Sequence, residues 1–361
     1  MPNSDRSSTR AVLLQAIGLL TMCLGWVHWV RAEEPKPPKV RVDSIRRVFH
    51  NGEHNAFTDL CKYRGQYYLA FRSCPDGHGV NPTSSIIVLT SSDGQAWTKA
   101  HQFRVERRDT RDPHFLEFQG KLFVYTGTWY CGAVTPKSRD LNEHLGYAAW
   151  TDDGSHWHGP EMLEGTYGHY VWRAAAHGDR AYLCGRRKHH FEHSDEPEPP
   201  AVESALLESK DGLVWSKVGL FQEKNGDETA FLFEPDGAIL AVARGGGRNN
   251  AELCRSLPPY RIWERSDLGR QVGGPLVVRW GEHLLVGGRK SIGEARTALY
   301  WLIEEKLHEI AELPSAGDNS YPGFVALDTK RGWVSYYSSH ERDASGRPIT
   351  AIYLAELTRE P

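Results

Sequence analysis

The chain has 361 residues, with 43 basic and 46 acidic side chains and a formal net charge of -3. This balance gives no overall attraction to nucleic acid or to an anionic membrane surface, so we predict no nucleic-acid partner and expect any recognition of charge to be local. The 12 Trp, 15 Tyr and 35 Gly, against only 3 Met, favour a protein rich in β-strands and turns.

The N-terminal segment differs from the rest of the chain. Two arginines precede an apolar run at 11–30, and Val30 and Ala32 have the spacing of a signal-peptidase site before the polar stretch "EEPKPPK". We predict a signal peptide over 1–32, a linker over 33–44, and a secreted or periplasmic protein. The run is also long enough to span a bilayer, so a retained anchor is the alternative, and only then would a membrane be a partner.

A heptapeptide of the form [ST]-x-D-G-x-x-W occurs three times, at 91–97, 151–157 and 209–215. Around these copies the chain repeats a pair of short apolar runs separated by a polar or Gly turn, which is typical of a β-hairpin. Six such hairpins follow one another, at 56–72, 112–128, 170–186, 228–244, 274–289 and 321–339.

Each hairpin is followed by a variable loop and a further strand-like run, so each unit contains four strands. Six such units predict an all-β fold, a six-bladed β-propeller with four-stranded antiparallel blades, over 45–361. The heptapeptide then lies on the turn between the third and fourth strands of a blade. Because Asp-Gly is above all a turn signal, we interpret Asp93, Asp153 and Asp211 as structural.

In an antiparallel blade the start of the first strand and the end of the second lie at the same end of the sheet. Residues at these two positions should therefore gather on one rim of the propeller. The ends of the second strands carry Arg72, Arg186, Arg244, Arg289 and Tyr337. The starts of the first strands carry Arg111, Asp112, Tyr170, Arg173, Asp227, Glu228, Asp318 and Tyr321.

Arginines that converge on one rim repel one another unless an anion lies between them, and a guanidinium suits a carboxylate in bidentate geometry. We therefore predict an acidic ligand, most simply a carboxylated sugar at the end of a glycan. We expect Asp112, Arg173, Arg186 and Tyr337 to contribute to binding it. The histidine-containing segment 186–200 is interpreted as a Pro-rich loop, and no zinc or nucleotide motif occurs, so we predict no metal and no cofactor.

Over roughly residues 45–359 the sequence resembles the sialidases (neuraminidases), because the heptapeptides are similar to the Asp-boxes of that family and the six-unit architecture is similar to its propeller. The resemblance implies that three arginines bind the substrate carboxylate. The segments "LAFRS", "LAVARGG" and "VGGRK" supply them in the family's chain order, as Arg72, Arg244 and Arg289.

The resemblance also implies a tyrosine nucleophile activated by a glutamate, here Tyr321 in "GDNSYPG" and Glu228 in "GDETAF". The family's acid/base is an aspartate in the loop after the first arginine. In this chain that loop is "SCPDGHGVNPT", where either Asp76 or His78 could transfer the proton. Two departures are that Arg72 lacks an Arg-Ile-Pro context and that Tyr-Pro replaces the usual Tyr-Ser.

The predicted function is an exported exo-glycosidase that releases terminal sialic acid, or a related acidic sugar, with retention of configuration. One alternative is a non-catalytic propeller that binds acidic glycans or a partner protein on the same rim. Another is a glycosidase for a different carboxylated or sulfated sugar, with Arg173 and Arg186 as extra contacts to the anion.

Overall fold

The computed structural model describes residues 37–134, 140–189, 201–291 and 293–360. The predicted signal peptide and part of the segment 186–200 lie outside the described residues. From Pro38 onward the chain forms one compact unit. Within the described ranges, no helix is long and apolar enough to cross a membrane.

In the described part of the chain, 24 β-strands form six sheets of four strands, and the strands pair antiparallel within each sheet. This confirms the predicted six-bladed propeller. The first blade contains β2 (His54–Tyr63), β3 (Gln66–Cys74), β4 (Ser85–Ser91) and β5 (Thr98–Phe103). The second contains β6 (Arg108–Phe118), β7 (Lys121–Tyr130), β8 (Leu145–Thr151) and β9 (His158–Met162), with a short 3-10 helix at Leu141–Glu143.

The third blade contains β10 (Tyr170–His177), β11 (Arg180–Lys188), β12 (Val202–Ser209) and β13 (Trp215–Gln222). The fourth contains β14 (Thr229–Phe233), β15 (Ile239–Ala243), β16 (Glu252–Ser256) and β17 (Glu264–Asp267). The fifth contains β18 (Gly273–Trp280), β19 (His283–Lys290), β20 (Arg296–Ile303) and β21 (Lys306–Leu313). The sixth contains β22 (Asn319–Ala326), β23 (Arg331–Arg342), β24 (Pro348–Arg359) and β1 (Val40–Phe49).

The sixth blade joins the two ends of the propeller. Strand β1 pairs with β24 in a register that runs from Val40 opposite Arg359 to Phe49 opposite Ile352. A sheet that contains both the first and the last strand closes the ring of blades by hydrogen bonds. Strand β1 begins at Val40, inside the segment predicted as a linker.

The heptapeptides occupy the turns between third and fourth strands, as predicted. In the first copy, Asp93 Oδ1 accepts hydrogen bonds from the backbone N–H groups of Gln95 and Ala96, and Ser91 Oγ accepts one from Gly94. The second and third copies repeat this pattern. Gly94 in this turn packs against the ring of Trp333 in the sixth blade. The approach is so close that a Cβ atom added at Gly94 would lie 2.1 Å from the ring.

The innermost strands carry β-bulges that change the direction of particular side chains. Five of the six innermost strands described have a register shift near their first residues, the exception being β14. Phe57, Asp112, Gly274 and Tyr321 lie in these bulges with φ of 61°, 54°, 57° and 54°. A bulge bends a strand and redirects a side chain, and these four bulges lie at the rim where the chemistry-bearing residues gather.

Candidate active site

The predicted rim forms a pocket of about 370 Å³. Eight of the residues predicted for the site line it: His78, Asp112, Arg186, Glu228, Arg244, Arg289, Tyr321 and Tyr337. Five others complete its lining, namely Phe57, Arg111, Trp129, Tyr170 and Asp318. A larger groove of about 590 Å³ runs beside Leu257 and Ile262 on the fourth blade, but its lining has no tyrosine or paired carboxylates. The candidate active site is therefore the smaller pocket.

Tyr321 and Glu228 are joined by a hydrogen bond at the base of this pocket. Tyr321 Oη donates to Glu228 Oε1 over 2.8 Å. The other carboxylate oxygen, Oε2, accepts from Arg244 Nη1 at 2.7 Å and from the Gly274 N–H at 3.1 Å. Both oxygens of the carboxylate are thus held by donors from three different blades.

The charge state of this pair follows from its surroundings. Burial by itself would raise the pKa of Glu228, but the charge of Arg244 and its hydrogen bond outweigh burial and lower that pKa. Burial, and then the negative charge of Glu228, raise the pKa of Tyr321 well above its usual value. An ionised carboxylate therefore accepts a hydrogen bond from a neutral phenol, an arrangement that suits a nucleophile and its base.

Two of the three arginines predicted to bind the carboxylate lie beside the tyrosine. Arg244 Nη1 is 3.4 Å from Tyr321 Oη, and the Arg289 guanidinium lies 5.6 Å from the centre of the Tyr321 ring. Arg186, predicted as a further contact, also lines the pocket and donates to Asp227 Oδ1 at 2.7 Å.

The prediction that Arg72 contacts the substrate is wrong. Its side chain is fully buried and does not line the pocket. Nε donates to Asp109 Oδ1 at 3.0 Å, while Nη1 and Nη2 donate to the carbonyl oxygens of Gly77 and Gly79 at 3.1 and 2.8 Å. Arg72 therefore anchors the loop that carries His78. In the first blade, the residue beside Tyr321 is Phe57, whose ring centre lies 4.9 Å from that of Tyr321.

Arg173 is likewise not a pocket residue, contrary to the prediction. It is only 8% exposed, and its three guanidinium nitrogens donate to Pro275 O, Asp59 Oδ1 and Pro322 O. All three acceptors lie in innermost strands of other blades, so the guanidinium is surrounded by protein and is not available to an anion.

Of the two residues predicted as the acid/base, Asp76 lies outside the pocket and His78 lies in it. Asp76 is exposed, its carboxylate accepts a hydrogen bond from Thr83 Oγ1, and it does not line the pocket. His78 does line the pocket, with its side chain 57% exposed and Nδ1 2.7 Å from Asp318 Oδ2. Because an ionised carboxylate only accepts hydrogen bonds, His78 Nδ1 carries a proton and Nε2 remains free to exchange one.

Asp318 holds several pocket groups at once. Its Oδ2 also lies 2.9 Å from His54 Nε2, and its Oδ1 accepts from Tyr337 Oη at 2.9 Å. Burial would raise the pKa of Asp318, but hydrogen bonds from His54 and His78 lower it, so the carboxylate is ionised. His54, His78 and Asp318 could together ligate a metal, since their ligand atoms lie within 4.8 Å of one another. The hydrogen bonds among them account for that convergence.

Asp112 is a buried carboxyl group of the pocket. No described residue forms a hydrogen bond with its Oδ1, and the side chain is 4% exposed. Burial, and then the negative charge of Glu228, raise the pKa of Asp112 well above its usual value. A neutral carboxylic acid at this point can donate a hydrogen bond to a ligand, which fits its predicted binding role.

Sequence reasoning assigned no role to Phe57, Trp129 or His54, which line the pocket or support it. Trp129 lies near the end of β7, where it pairs with Asp109 of β6. The repeat could have identified Phe57. It stands near the start of the first hairpin, as Asp112 stands at the start of the second and Tyr321 at the start of the sixth. His54 has no such signal.

Comparison with known proteins gives likenesses of structure only, since no family model and no curated protein matches the chain. A protein of unknown function from Dyadobacter fermentans has a TM-score of 0.74 and 20% identity, covering 90% of this chain and 100% of that one. Trypanosoma rangeli sialidase in complex with sialic acid has a TM-score of 0.62 and 13% identity, covering 87% of this chain and 57% of that one. A Hadza microbial sialidase has a TM-score of 0.64 and 13% identity, covering 84% of this chain and 65% of that one.

These likenesses show that the fold is that of the sialidase propeller. The chain spans somewhat more than half the length of the Trypanosoma rangeli sialidase, so that enzyme contains much that has no counterpart here. At such low identity the likeness carries no residue roles, and the function must be argued from the pocket itself.

Proposed function

We propose that the protein is an exported, retaining exo-glycoside hydrolase that removes a terminal acidic sugar, with sialic acid as the first substrate to test. The observation that carries the proposal is the 2.8 Å hydrogen bond from Tyr321 Oη to Glu228 Oε1 inside an arginine-lined pocket. Sialidases are the glycosidases that use a tyrosine nucleophile in place of a carboxylate. The apolar run at 11–30, within the predicted signal peptide, supports export.

The charges of the pocket suit a carboxylate next to the reacting carbon. Arg244 and Arg289 both lie beside Tyr321 and would hold the substrate carboxylate. A carboxylate nucleophile would be repelled by that group, whereas a neutral phenol is not. The nucleophile therefore stays uncharged until the moment of attack, when its proton passes to Glu228.

In the first step Tyr321 Oη would bond to the anomeric carbon, its proton would move to Glu228, and the glycosidic bond would break. His78 Nε2 would give its proton to the leaving oxygen, with Asp318 orienting the ring and stabilising its charge. In the second step His78 would take a proton from water and the water oxygen would bond to the anomeric carbon. The bond from that carbon to Tyr321 Oη would break, and Glu228 would return the proton to the tyrosine oxygen. Two displacements leave the configuration unchanged.

One observation favours a wider range of acidic sugars. The third arginine implied by the sialidase resemblance, Arg72, is turned away from the pocket, and Phe57 lies beside Tyr321 instead. A carboxylate would then meet two arginines, with Arg111 and Arg186 left for a second polar or anionic group. The test panel therefore includes a glucuronide and a sulfated sugar as well as a sialoside.

The test is turnover of 4-methylumbelliferyl glycosides of these three classes by the chain beginning at Glu33. Tyr321→Phe removes the nucleophile, and we expect a loss on the order of 10³-fold or more in kcat. Tyr300→Phe is the matched control, because it deletes a buried tyrosine hydroxyl of the fifth blade that is remote from the pocket lining. We expect Tyr300→Phe to keep the wild-type rate, and the released sugar to retain its configuration by proton NMR.

Two outcomes would refute the proposal. If Tyr321→Phe turned over as fast as the wild type, the tyrosine would not be the nucleophile. If the wild type turned over nothing in the panel, but bound the same glycosides with an affinity that Tyr321→Phe left unchanged, the protein would be a glycan-binding propeller.

A further inference from the structure

The guanidinium of Arg173 joins four of the six blades at the centre of the ring of innermost strands. Arg173 belongs to β10 of the third blade, and its Nε donates to Pro275 O in the fifth blade at 2.8 Å. Its Nη2 donates to Pro322 O in the sixth blade at 2.5 Å, and its Nη1 to Asp59 Oδ1 in the first blade at 3.1 Å.

The two carbonyl groups that Arg173 holds lie in β-bulges. The ladder between β18 and β19 shifts register between Gly273 and Leu276, and that between β22 and β23 shifts between Ser320 and Gly323. The ladder between neighbouring strands is interrupted at a bulge, so carbonyl groups there need a donor from elsewhere. Arg173 supplies that donor to the carbonyl oxygens of Pro275 and Pro322.

Each of these prolines directly follows a residue that holds Glu228. Tyr321 precedes Pro322 and donates its hydroxyl to Glu228 Oε1. Gly274 precedes Pro275 and donates its N–H to Glu228 Oε2. Both residues have a positive φ, 54° for Tyr321 and 57° for Gly274, which for tyrosine is a strained conformation.

We propose that Arg173 is a positioning residue: it fixes the two bulges that direct the Tyr321 hydroxyl and the Gly274 N–H at the two oxygens of Glu228. The catalytic meaning of this inference rests on the proposed function, while its geometric content does not. Arg173 touches neither substrate nor reacting atoms. It acts through the peptide groups on which the strained backbone of Tyr321 depends.

The side chain of Asp59 completes the arrangement. Its Oδ1 accepts from Arg173, and its Oδ2 accepts from the Phe115 N–H at 2.8 Å, which brings in the second blade. Thr58 Oγ1 donates to the Tyr321 carbonyl at 2.8 Å, so the two successive peptide groups after the tyrosine are each held by a side chain, the first by Thr58 and the second by Arg173. A plain structural role for Arg173 would predict lost stability alone, and a positioning role also predicts a change at Tyr321.

The first variant is Arg173→Lys, which keeps the charge opposite Asp59 but cannot reach both carbonyl groups with its one nitrogen. A displacement of about 1 Å at reacting groups typically costs about 10²-fold, so we expect kcat to fall by that factor with little change in KM. The control is Leu285→Ala, which opens a cavity in the hydrophobic cluster between the fifth and sixth blades. Leu285→Ala should lower Tm by a comparable amount and keep the wild-type kcat.

A second readout does not depend on turnover. In protein labelled with ¹³Cζ-tyrosine, the Tyr321 signal is the one that Tyr321→Phe removes. We expect this signal to shift in Arg173→Lys and to stay in place in Leu285→Ala. If Arg173→Lys does not fold, the double variant Arg173→Gln with Asp59→Asn removes both charges together and should give the same shift.

Unchanged kcat and an unmoved Tyr321 signal in a folded Arg173 variant would overturn the proposal and leave Arg173 as a link between blades. A wild type without turnover would count against the proposed function, while the NMR comparison would still decide the positioning role.

Discussion

Replacing Arg72 by methionine separates a substrate contact from a support for the fold. The structure places Arg72 in a fully buried ion pair with Asp109 and in two hydrogen bonds to loop carbonyl groups. Removing one partner of a buried pair costs about 3–5 kcal/mol. Asp109 and Gly79 O keep their hydrogen bonds from Arg111, which lessens the penalty, whereas the orphaned carbonyl group of Gly77 adds to it. We expect a loss of about 4 kcal/mol in the free energy of unfolding.

The assay is thermal unfolding followed by calorimetry. Unfolding entropy is about 2.1 cal/mol/K per residue, or about 0.7 kcal/mol/K for a domain of roughly 320 residues, so Tm should fall by about 6 °C. The matched control is Arg279→Met, which breaks an exposed pair with Glu234 and should shift Tm by less than about 1.5 °C. The reasoning is refuted if both variants shift Tm equally. It is also refuted if Arg72→Met keeps its Tm and loses only affinity for N-acetylneuraminic acid.

Two further predictions concern the turns and the pH dependence of stability. Gly94→Ala should lower Tm more than Gly120→Ala. Both glycines have a positive φ, 71° and 75°, but only at Gly94 would the new methyl group meet the Trp333 ring. Equal shifts in Tm would show that the contact between blades is unimportant. Burial, and then the charge of Arg173, lower the pKa of His114 to about 4, so the unfolded chain, with a histidine pKa of about 6.5, binds that proton first. The contribution of His114 to the free energy of unfolding is therefore complete above pH 6.5 and falls by about 3 kcal/mol as the pH drops to 4. In urea unfolding at several pH values, the free energy of unfolding should fall less for His114→Gln than for the wild type.

The sequence repeat predicted most of the fold and part of the candidate site. Once each hairpin is assigned to the first two strands of a blade, antiparallel geometry alone places strand starts and strand ends on one rim. That is why Tyr321 and Glu228, 93 residues apart, could be placed on the same rim, while their pairing came from the resemblance to sialidases. The same argument correctly brought Arg244 and Arg289 to the pocket.

The same geometry does not decide which way a side chain turns once it reaches the rim. Arg72 stands at the expected end of β3, but Asp109 on β6 and the carbonyl groups of its own loop draw its guanidinium inward. Asp76 and His78 lie two residues apart on that loop, and His78 is held in the pocket by a hydrogen bond to Asp318, which comes from the sixth blade. Partners so distant in sequence leave no local signal.

The bulges, by contrast, can be read from the sequence once their cause is known. Asp112, Gly274 and Tyr321 each precede a proline near the start of an innermost strand, and a proline inside a strand marks a bulge or an edge because it cannot donate to the ladder. Of these three residues, two are ionisable pocket groups and the third donates its N–H to Glu228. The proposed nucleophile, Tyr321, thus lies on a buried strand and its proposed base, Glu228, directly precedes one, whereas the proposed proton donor, His78, is carried by a loop. Because Thr58 and Arg173 hold the two peptide groups that follow Tyr321, the position of this tyrosine does not depend on an arginine from the first blade, and the proposed chemistry is compatible with more than one acidic sugar.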